Sequence, residues 1–209
     1  PVFYKIGYQA SGPRAAVTIH EGKAISAGGM GRLNCLDAAT GDLVWSRDLN
    51  ADYEIRMPVW GITAAPLVYR DLVIQITGGK GDACVVAFDL NSGEERWRSL
   101  DERASYSAPV IVRQGDQDVL VCWTGDSVTG VDPTNGERFW SIPMKPRNMP
   151  IGVPTPVVSN DRLFVSSFYD GSMMIELDQA APSAKQLWWR IGVDERNTDA
   201  LHSMISNPI

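Results

Sequence analysis

Histidine and cysteine are scarce in this chain, with two of the first and three of the second in 209 residues. Cys35, Cys84 and Cys122 stand singly in or beside apolar runs, and His20 and His202 have no ligand-spaced neighbour. Zinc sites draw on closely spaced Cys and His pairs, so a zinc centre has no support in the sequence. The thiols read instead as small buried hydrophobes rather than a disulfide framework. No run approaches the roughly 18 apolar residues of a membrane-crossing helix. Pro1-Val2-Phe3-Tyr4-Lys5 also lacks the basic-then-apolar layout of a signal peptide. Starting without Met, the chain reads as a processed or excised piece. Basic residues number 19 against 25 acidic, a net charge of −6 with no basic stripe. That balance argues against nucleic acid or an anionic membrane as the main partner. No window keeps a helical period, which leaves an all-β chain.

What the sequence does contain is a repeat. Asp37, Asp89 and Asp132 are each followed four residues later by glycine (Gly41, Gly93, Gly136) and eight residues later by tryptophan (Trp45, Trp97, Trp140). A fourth copy begins at Asp178, loses its glycine and runs through a longer turn to Trp188-Trp189. Of that pair, Trp189 is assigned to the docking position and the other to the surface or to loop packing. Asp at a strand end accepts hydrogen bonds from N–H groups two and three residues on, and Gly supplies the positive φ that closes a hairpin. Each Trp then ends a strand. Packing its ring against a neighbouring unit would bury roughly 150–250 Å², an upper bound of about 4–6 kcal/mol at about 25 cal/mol per Å². Trp123 ends an inner strand with no counterpart in the other units, so its loss is expected to matter less than that of Trp97.

A second marker, a small residue, then Pro or Ala, then apolar residues, recurs at Arg14–Val17, Ala64–Val68, Ser107–Ile111, Pro154–Val158 and Asn207–Ile209. Pro66, Pro109, Pro156 and Pro208 are 43, 47 and 52 residues apart, and the four Asp residues step by 52, 43 and 46. Both markers give the period of a four-stranded propeller blade. β-Branched runs bounded by turn residues supply four strands per unit. The units fall at about 13–48, 64–100, 107–142 and 154–191, with a fifth opening at about 206–209. The fold class is therefore an all-β propeller of four-stranded antiparallel blades, with about four blades forming an open arc of a larger ring of seven or eight. A parallel β-helix is the alternative, although its coils are shorter. Strands Ala16–Ile19 and Leu187–Trp189 show little of the polar capping that repeat arrays need, so apolar faces are expected at both ends, and with them self-association.

The segment Cys35 to Trp45, and still more Ala87 to Trp97, resembles the tryptophan-docking repeat of the pyrroloquinoline-quinone-like β-propellers, Ala-x-Asp-x-x-x-Gly-Lys-x-x-Trp. Gly130 to Trp140 replaces the first Ala, and the fourth copy departs most. The resemblance covers essentially the whole chain. It implies an extracytoplasmic, periplasmic setting and two functional outcomes. One is a non-catalytic scaffold similar to the outer-membrane β-barrel assembly lipoprotein, binding proteins or the remaining blades of a parent chain without a cofactor. The other is a piece of a quinoprotein alcohol or sugar dehydrogenase that binds pyrroloquinoline quinone and calcium elsewhere in its ring. The adjacent-cysteine disulfide of the methanol-dehydrogenase type has no match here, and no catalytic, cofactor or metal residue is assigned. The scaffold is the preferred reading.

Meander parity places the inter-blade loops on one face with each blade's middle turn, where binding residues usually gather. On that face Arg56, Trp60, Lys80, Tyr106, Lys145, Arg147, Tyr169, Asp170, Arg196 and His202 are candidates for an acidic or aromatic ligand, against the alternative that they are solvated loop residues. Gly78-Gly79-Lys80-Gly81 lacks the Lys-Ser/Thr and the following helix of a phosphate loop. Neither His sits in a hydrolase context.

Overall fold

The computed structural model describes residues 14–207, so the start of the first unit at residue 13 and the Pro208-Ile209 part of the fifth marker lie outside the described residues. The chain divides into two compact units, 1–104 and 105–209. Each unit holds two four-stranded antiparallel sheets whose strands pair in chain order. In the first unit, β1 (Thr18–His20), β2 (Lys23–Ala27), β3 (Arg32–Asp37) and β4 (Leu43–Asp48) form one sheet. The other comprises β5 (Leu67–Tyr69), β6 (Leu72–Ile76), β7 (Val85–Asp89) and β8 (Glu95–Ser99). In the second unit, the sheets are β9 (Val110–Gln114), β10 (Gln117–Trp123), β11 (Ser127–Val131), β12 (Arg138–Pro143), and β13 (Val157–Ser159), β14 (Arg162–Ser167), β15 (Gly171–Leu177), β16 (Ala184–Arg190). All-β blades of four strands are thus what the chain forms.

One helix departs from the all-strand expectation. α1 (Leu49–Tyr53) turns once in the loop after β4. Asp48 caps it by accepting from the Ala51 N–H at 3.2 Å, and Leu49 and Tyr53, one turn apart, are both buried. Five residues are too few to show a period, so the cap and the i, i+4 apolar pair are the only sequence traces.

The repeat turns share one geometry. The Asp37 carboxylate accepts from the N–H groups of Ala39 and Thr40, both at 2.9 Å, and Asp89 does the same for Asn91 and Ser92. Gly41, Gly93 and Gly136 donate back to the carbonyls of Asp37, Asp89 and Asp132 at 2.8–2.9 Å, with φ between +72° and +78°. In the next strand one extra residue precedes each Trp, which leaves Trp45 opposite Cys35, Trp97 opposite Ala87 and Trp140 opposite Gly130. The partner must be small. A Cβ on Gly130 would lie 2.3 Å from the Trp140 ring.

Within the first unit, Trp45 leaves its own sheet and lies on the turn of the next. Its indole N–H donates to the Leu90 carbonyl at 3.0 Å, and its ring would be 2.6 Å from a Cβ on Gly93. Ile25, Leu33, Cys35 and Trp45 on one sheet form a single core with Val73, Val86, Phe88 and Leu90 on the other. The second unit solves the same problem differently, because its fourth turn has no glycine. The Trp140 indole donates to the Gln114 amide oxygen at 2.9 Å. The Gln114 amide nitrogen donates in turn to the carbonyls of Asp178 and Ser183 at 2.9 and 2.6 Å. Around this relay Val121, Trp123, Val128 and Trp140 pack on Leu163, Val165, Met173 and Ile175.

The fourth sheet keeps the Asp178 N–H to Ser183 carbonyl closure, but its extra residue falls further along β16. Trp188 therefore pairs with Met174 and Trp189 with Met173. Trp189 turns back into the core shared with the third sheet and donates to the Asp170 carbonyl at 2.8 Å. Trp188 points to the opposite face, 37% exposed. Trp123, expected to matter less than Trp97, is buried as deeply, 3% against 7% exposed. It is a core member because Gly152, with no side chain of its own, lets the loop backbone sit on its ring.

Trp45→Ala is expected to destabilise the chain by about 3–5 kcal/mol. Gly93→Ala, forced to hold φ near +72° against the indole, is expected to cost about 1–3 kcal/mol or more. Urea midpoints measure both, and a neutral Gly93→Ala would contradict the contact. Backbone N–H groups of Thr40 and Ala39 hold the Asp37 carboxyl below its ordinary value, as those of Ser92 and Asn91 do for Asp89. A depressed carboxyl adds stability above its unfolded pKa of about 4, and that stability is lost as pH falls through the lower folded value. Asp89→Asn keeps the acceptor but takes up no proton, so its urea midpoint should fall less steeply below about pH 4 than that of the parent.

Candidate functional site

The loops that follow each sheet's fourth strand meet the middle turns, and here the ten candidate residues are distributed between the two units. In the first unit most of the charge is paired. Lys80 Nζ lies 2.8 Å from Glu54 and Arg56 lies 2.5 Å from Asp101. The Lys80 N–H also donates to the Tyr53 carbonyl at 2.8 Å, joining the middle turn to α1. The Lys80 ammonium holds the Glu54 carboxyl below its ordinary value. The Tyr53 hydroxyl, raised by burial and by its bond to Glu95, donates to that carboxylate at 2.7 Å. Trp60 is half-buried, and its carbonyl accepts from Arg14 at 2.6 Å.

In the second unit the structure brings Arg147, Tyr169 and Asp170 together. The Arg147 N–H donates to Asp170 Oδ1 at 2.8 Å, and its guanidinium donates to the carbonyls of Tyr169 and Val193 at 2.8 and 3.2 Å. Asp170 is only 2% exposed, and its other oxygen accepts from Ser167 at 3.3 Å. His202 stands nearby, with Nδ1 2.7 Å from the Phe168 carbonyl and Nε2 3.0 Å from Thr198 Oγ1. The carbonyl accepts only, so Nδ1 donates to it. Tyr106 is buried, its N–H bonded to the Gly152 carbonyl at 3.0 Å. Lys145 and Arg196 are exposed on separate loops. The Arg196 N–H closes a turn on Asp194 at 2.8 Å.

Two hollows accompany these residues. A cavity of about 10 Å³ is lined by Ser105, Trp123, Thr124, Gly152, Ser167 and Asp170, room for one water and no more. A groove of about 420 Å³ opens beside the fourth repeat turn, lined by Asp161, Glu176, Asp178, Lys185 and neighbours. Ser105, whose hydroxyl donates to the Gly152 carbonyl and accepts from the Gly152 N–H, both at 2.9 Å, was not among the candidate residues. Nor was Gln114. Neither carries a motif; the trace of Gln114 is a lone amide at a strand end before Gly115. Among the described residues, no three His, Cys, Asp or Glu side chains gather to hold a metal ion, and no helix is long and apolar enough to cross a membrane.

Sheets of this strand order, joined through Trp on a repeat turn, match the family model described as outer membrane protein assembly factor BamB over residues 7–203. The chain belongs to that family. Among solved structures, BamB from Moraxella catarrhalis aligns with a TM-score of 0.57 at 18% identity, over 88% of this chain and 52% of that one, a likeness of fold. Among curated proteins, the chain is 26% identical over 152 residues to the 1-butanol dehydrogenase (quinone) of Thauera butanivorans, covering 66% of this chain. It is 32% identical over 126 residues to the quinoprotein ethanol dehydrogenase of Pseudomonas aeruginosa, covering 54% of this chain. It spans 24% and 20% of those two proteins.

Arg147→Ala removes the bridge between the middle turn at Tyr169 and the loop at Val193. Hydrogen exchange is expected to quicken about 145–150 and 192–197, with the core strands unchanged. Uniform quickening across the second unit would show that Arg147 holds more than its loops.

Proposed function

We propose that this chain is a non-catalytic propeller segment acting as a protein-binding scaffold in an extracytoplasmic compartment. One observation carries the reading. Three charged groups of the loop face, Lys80, Arg56 and Arg147, are spent on carboxylates or on main-chain carbonyls. Large apolar side chains also stand open: Ile19, Leu43, Val193, Leu201 and Ile205 are all more than half exposed. Exposed apolar side chains, Ile19 and Leu43 on strands and the other three in the loop after β16, suit another protein more than a small polar substrate. Membership of a family described by outer membrane protein assembly supports both the class of role and the compartment.

The second reading, a segment of a quinoprotein dehydrogenase, is favoured by the curated relatives. Pyrroloquinoline quinone with calcium would need a set of carboxylate and amide ligands, and in the methanol-dehydrogenase type an adjacent-cysteine pair. The described residues do not supply that set, which this reading places elsewhere in the ring. The three thiols are separate and buried, and Asp170, the one deeply buried loop carboxylate among the described residues, is already bonded to Arg147 and Ser167.

The test is dye-linked oxidation of primary alcohols and aldoses by a full-length protein carrying this segment, supplied with pyrroloquinoline quinone and calcium. No turnover above the apoprotein is expected. Quinone-dependent turnover would overturn the scaffold reading.

A further inference from the structure

The residue before the glycine of each repeat turn has one task. Thr40 and Ser92 accept the N–H two residues on through their hydroxyls, from Asp42 and Glu94, both at 3.2 Å. Asn135 does the same with its amide oxygen, which accepts from the Glu137 N–H at 2.8 Å. The third turn therefore places a carboxamide where the first and second place a hydroxyl. Eight asparagines occur in the chain, and Asn135 is the one followed by glycine. A hydroxyl there is inert, whereas the carboxamide carbon is an electrophile for the next main-chain nitrogen.

Three features of the turn favour that attack. Asn135 is exposed, so ammonia can leave and water can enter. Its Oδ1 is the atom on which negative charge develops as the carbon becomes tetrahedral, and the Glu137 N–H already donates to it, as a main-chain donor does in an oxyanion hole. The bond from Oδ1 to Glu137 spans Gly136, so Cγ and the Gly136 nitrogen belong to one closed ring, and glycine brings no side chain to obstruct their approach. One restraint opposes these. The Gly136 N–H donates to the Asp132 carbonyl at 2.8 Å, and Gly136 itself is buried. Its nitrogen is free to react only when the turn opens.

We propose that Asn135 is a site of spontaneous deamidation, gated by the hydrogen bond from Gly136 to Asp132. When that bond opens, the Gly136 N–H gives its proton to hydroxide and its nitrogen bonds to Asn135 Cγ. The Cγ–Nδ2 bond then breaks, and with a proton from water the amide nitrogen leaves as ammonia. A second water opens the cyclic imide. Opening at Cγ leaves an aspartate at position 135, whose carboxylate still accepts from the Glu137 N–H. Opening at the main-chain carbon leaves an isoaspartate, with the main chain running through Cβ and one carbon longer. That product disturbs the turn more, because the strands it joins hold a fixed register, Val131 opposite Arg138 and Gly130 opposite Trp140. Either product adds one negative charge. The proposal is independent of the scaffold reading.

Peptide mass maps of the 209-residue chain, incubated folded at mildly alkaline pH, test it. Amide loss at Asn135 is expected to outrun that at every other asparagine, and an isoaspartyl methyltransferase with a labelled methyl donor should mark the same peptide. In guanidinium chloride the conversion should quicken by about two- to tenfold, the worth of the one main-chain hydrogen bond that no longer holds the nitrogen. Asn135→Ser, which keeps a hydroxyl acceptor like that of Ser92, should abolish the mass gain and leave the thermal midpoint unchanged. An intact amide at Asn135 in the folded chain overturns the proposal, as does equal or faster loss at Asn91, which precedes serine. A folded chain that converts as fast as the unfolded one overturns the gate.

Discussion

An indole that must be satisfied against the hairpin of the neighbouring sheet is the constraint around which these units are built, met directly by Trp45 on the Leu90 carbonyl and by Trp140 through Gln114, which carries the contact on to Asp178 and Ser183. A Trp side chain is too large to lie on its own sheet unless the residue opposite is small. Cys35, Ala87 and Gly130 meet that condition at the same place in three sheets. Tipped off its sheet, the ring must cover something flat, and a hairpin closed by glycine at positive φ presents bare main chain. The Asp that begins each hairpin fixes where that main chain lies, by holding the N–H group two residues on and, at Asp37 and Asp89, the one three residues on as well. Asp, Gly, Trp and the small partner are thus one mechanical element spread over eleven residues of sequence.

That coupling is why so much of the fold could be read from the chain. Each strand was marked by β-branched residues between turn formers, and strands that must pair within one sheet leave little freedom in their limits. What escaped was short or side-chain specific. α1 is a single turn set by Asp48, Leu49 and Tyr53, below the length at which a period exists. The sequence assigns Trp189 to the docking position, but a one-residue displacement of the extra residue on β16 decides which face each of the two tryptophans takes, and it turns Trp189 back into the core shared with the third sheet.

The loop face was legible as a place and not as chemistry. Parity put Arg147, Tyr169 and Asp170 on one side, and they do converge. Their charges read as available only because a sequence cannot show which carbonyls lie within reach. Arg147 serves Tyr169 and Val193, residues 22 and 46 positions away. Ser105 and Gln114, which organise the second unit from within, carry no signature at all, since an amide or hydroxyl becomes structural only through where its partners stand.

Gln114 has one further consequence. Its amide reads two carbonyls, of Asp178 and Ser183, five residues apart at the neck of the fourth hairpin, and takes no account of what lies between them. A glycine-dependent turn tolerates little drift, because any added side chain meets the ring. The Gly115 N–H holds the Gln179 carbonyl as well and the Ala180 main chain lies against that glycine, so this hairpin is read through its backbone alone, and the side chains of Gln179–Pro182 are where the repeat has room to diverge without loosening its neighbours.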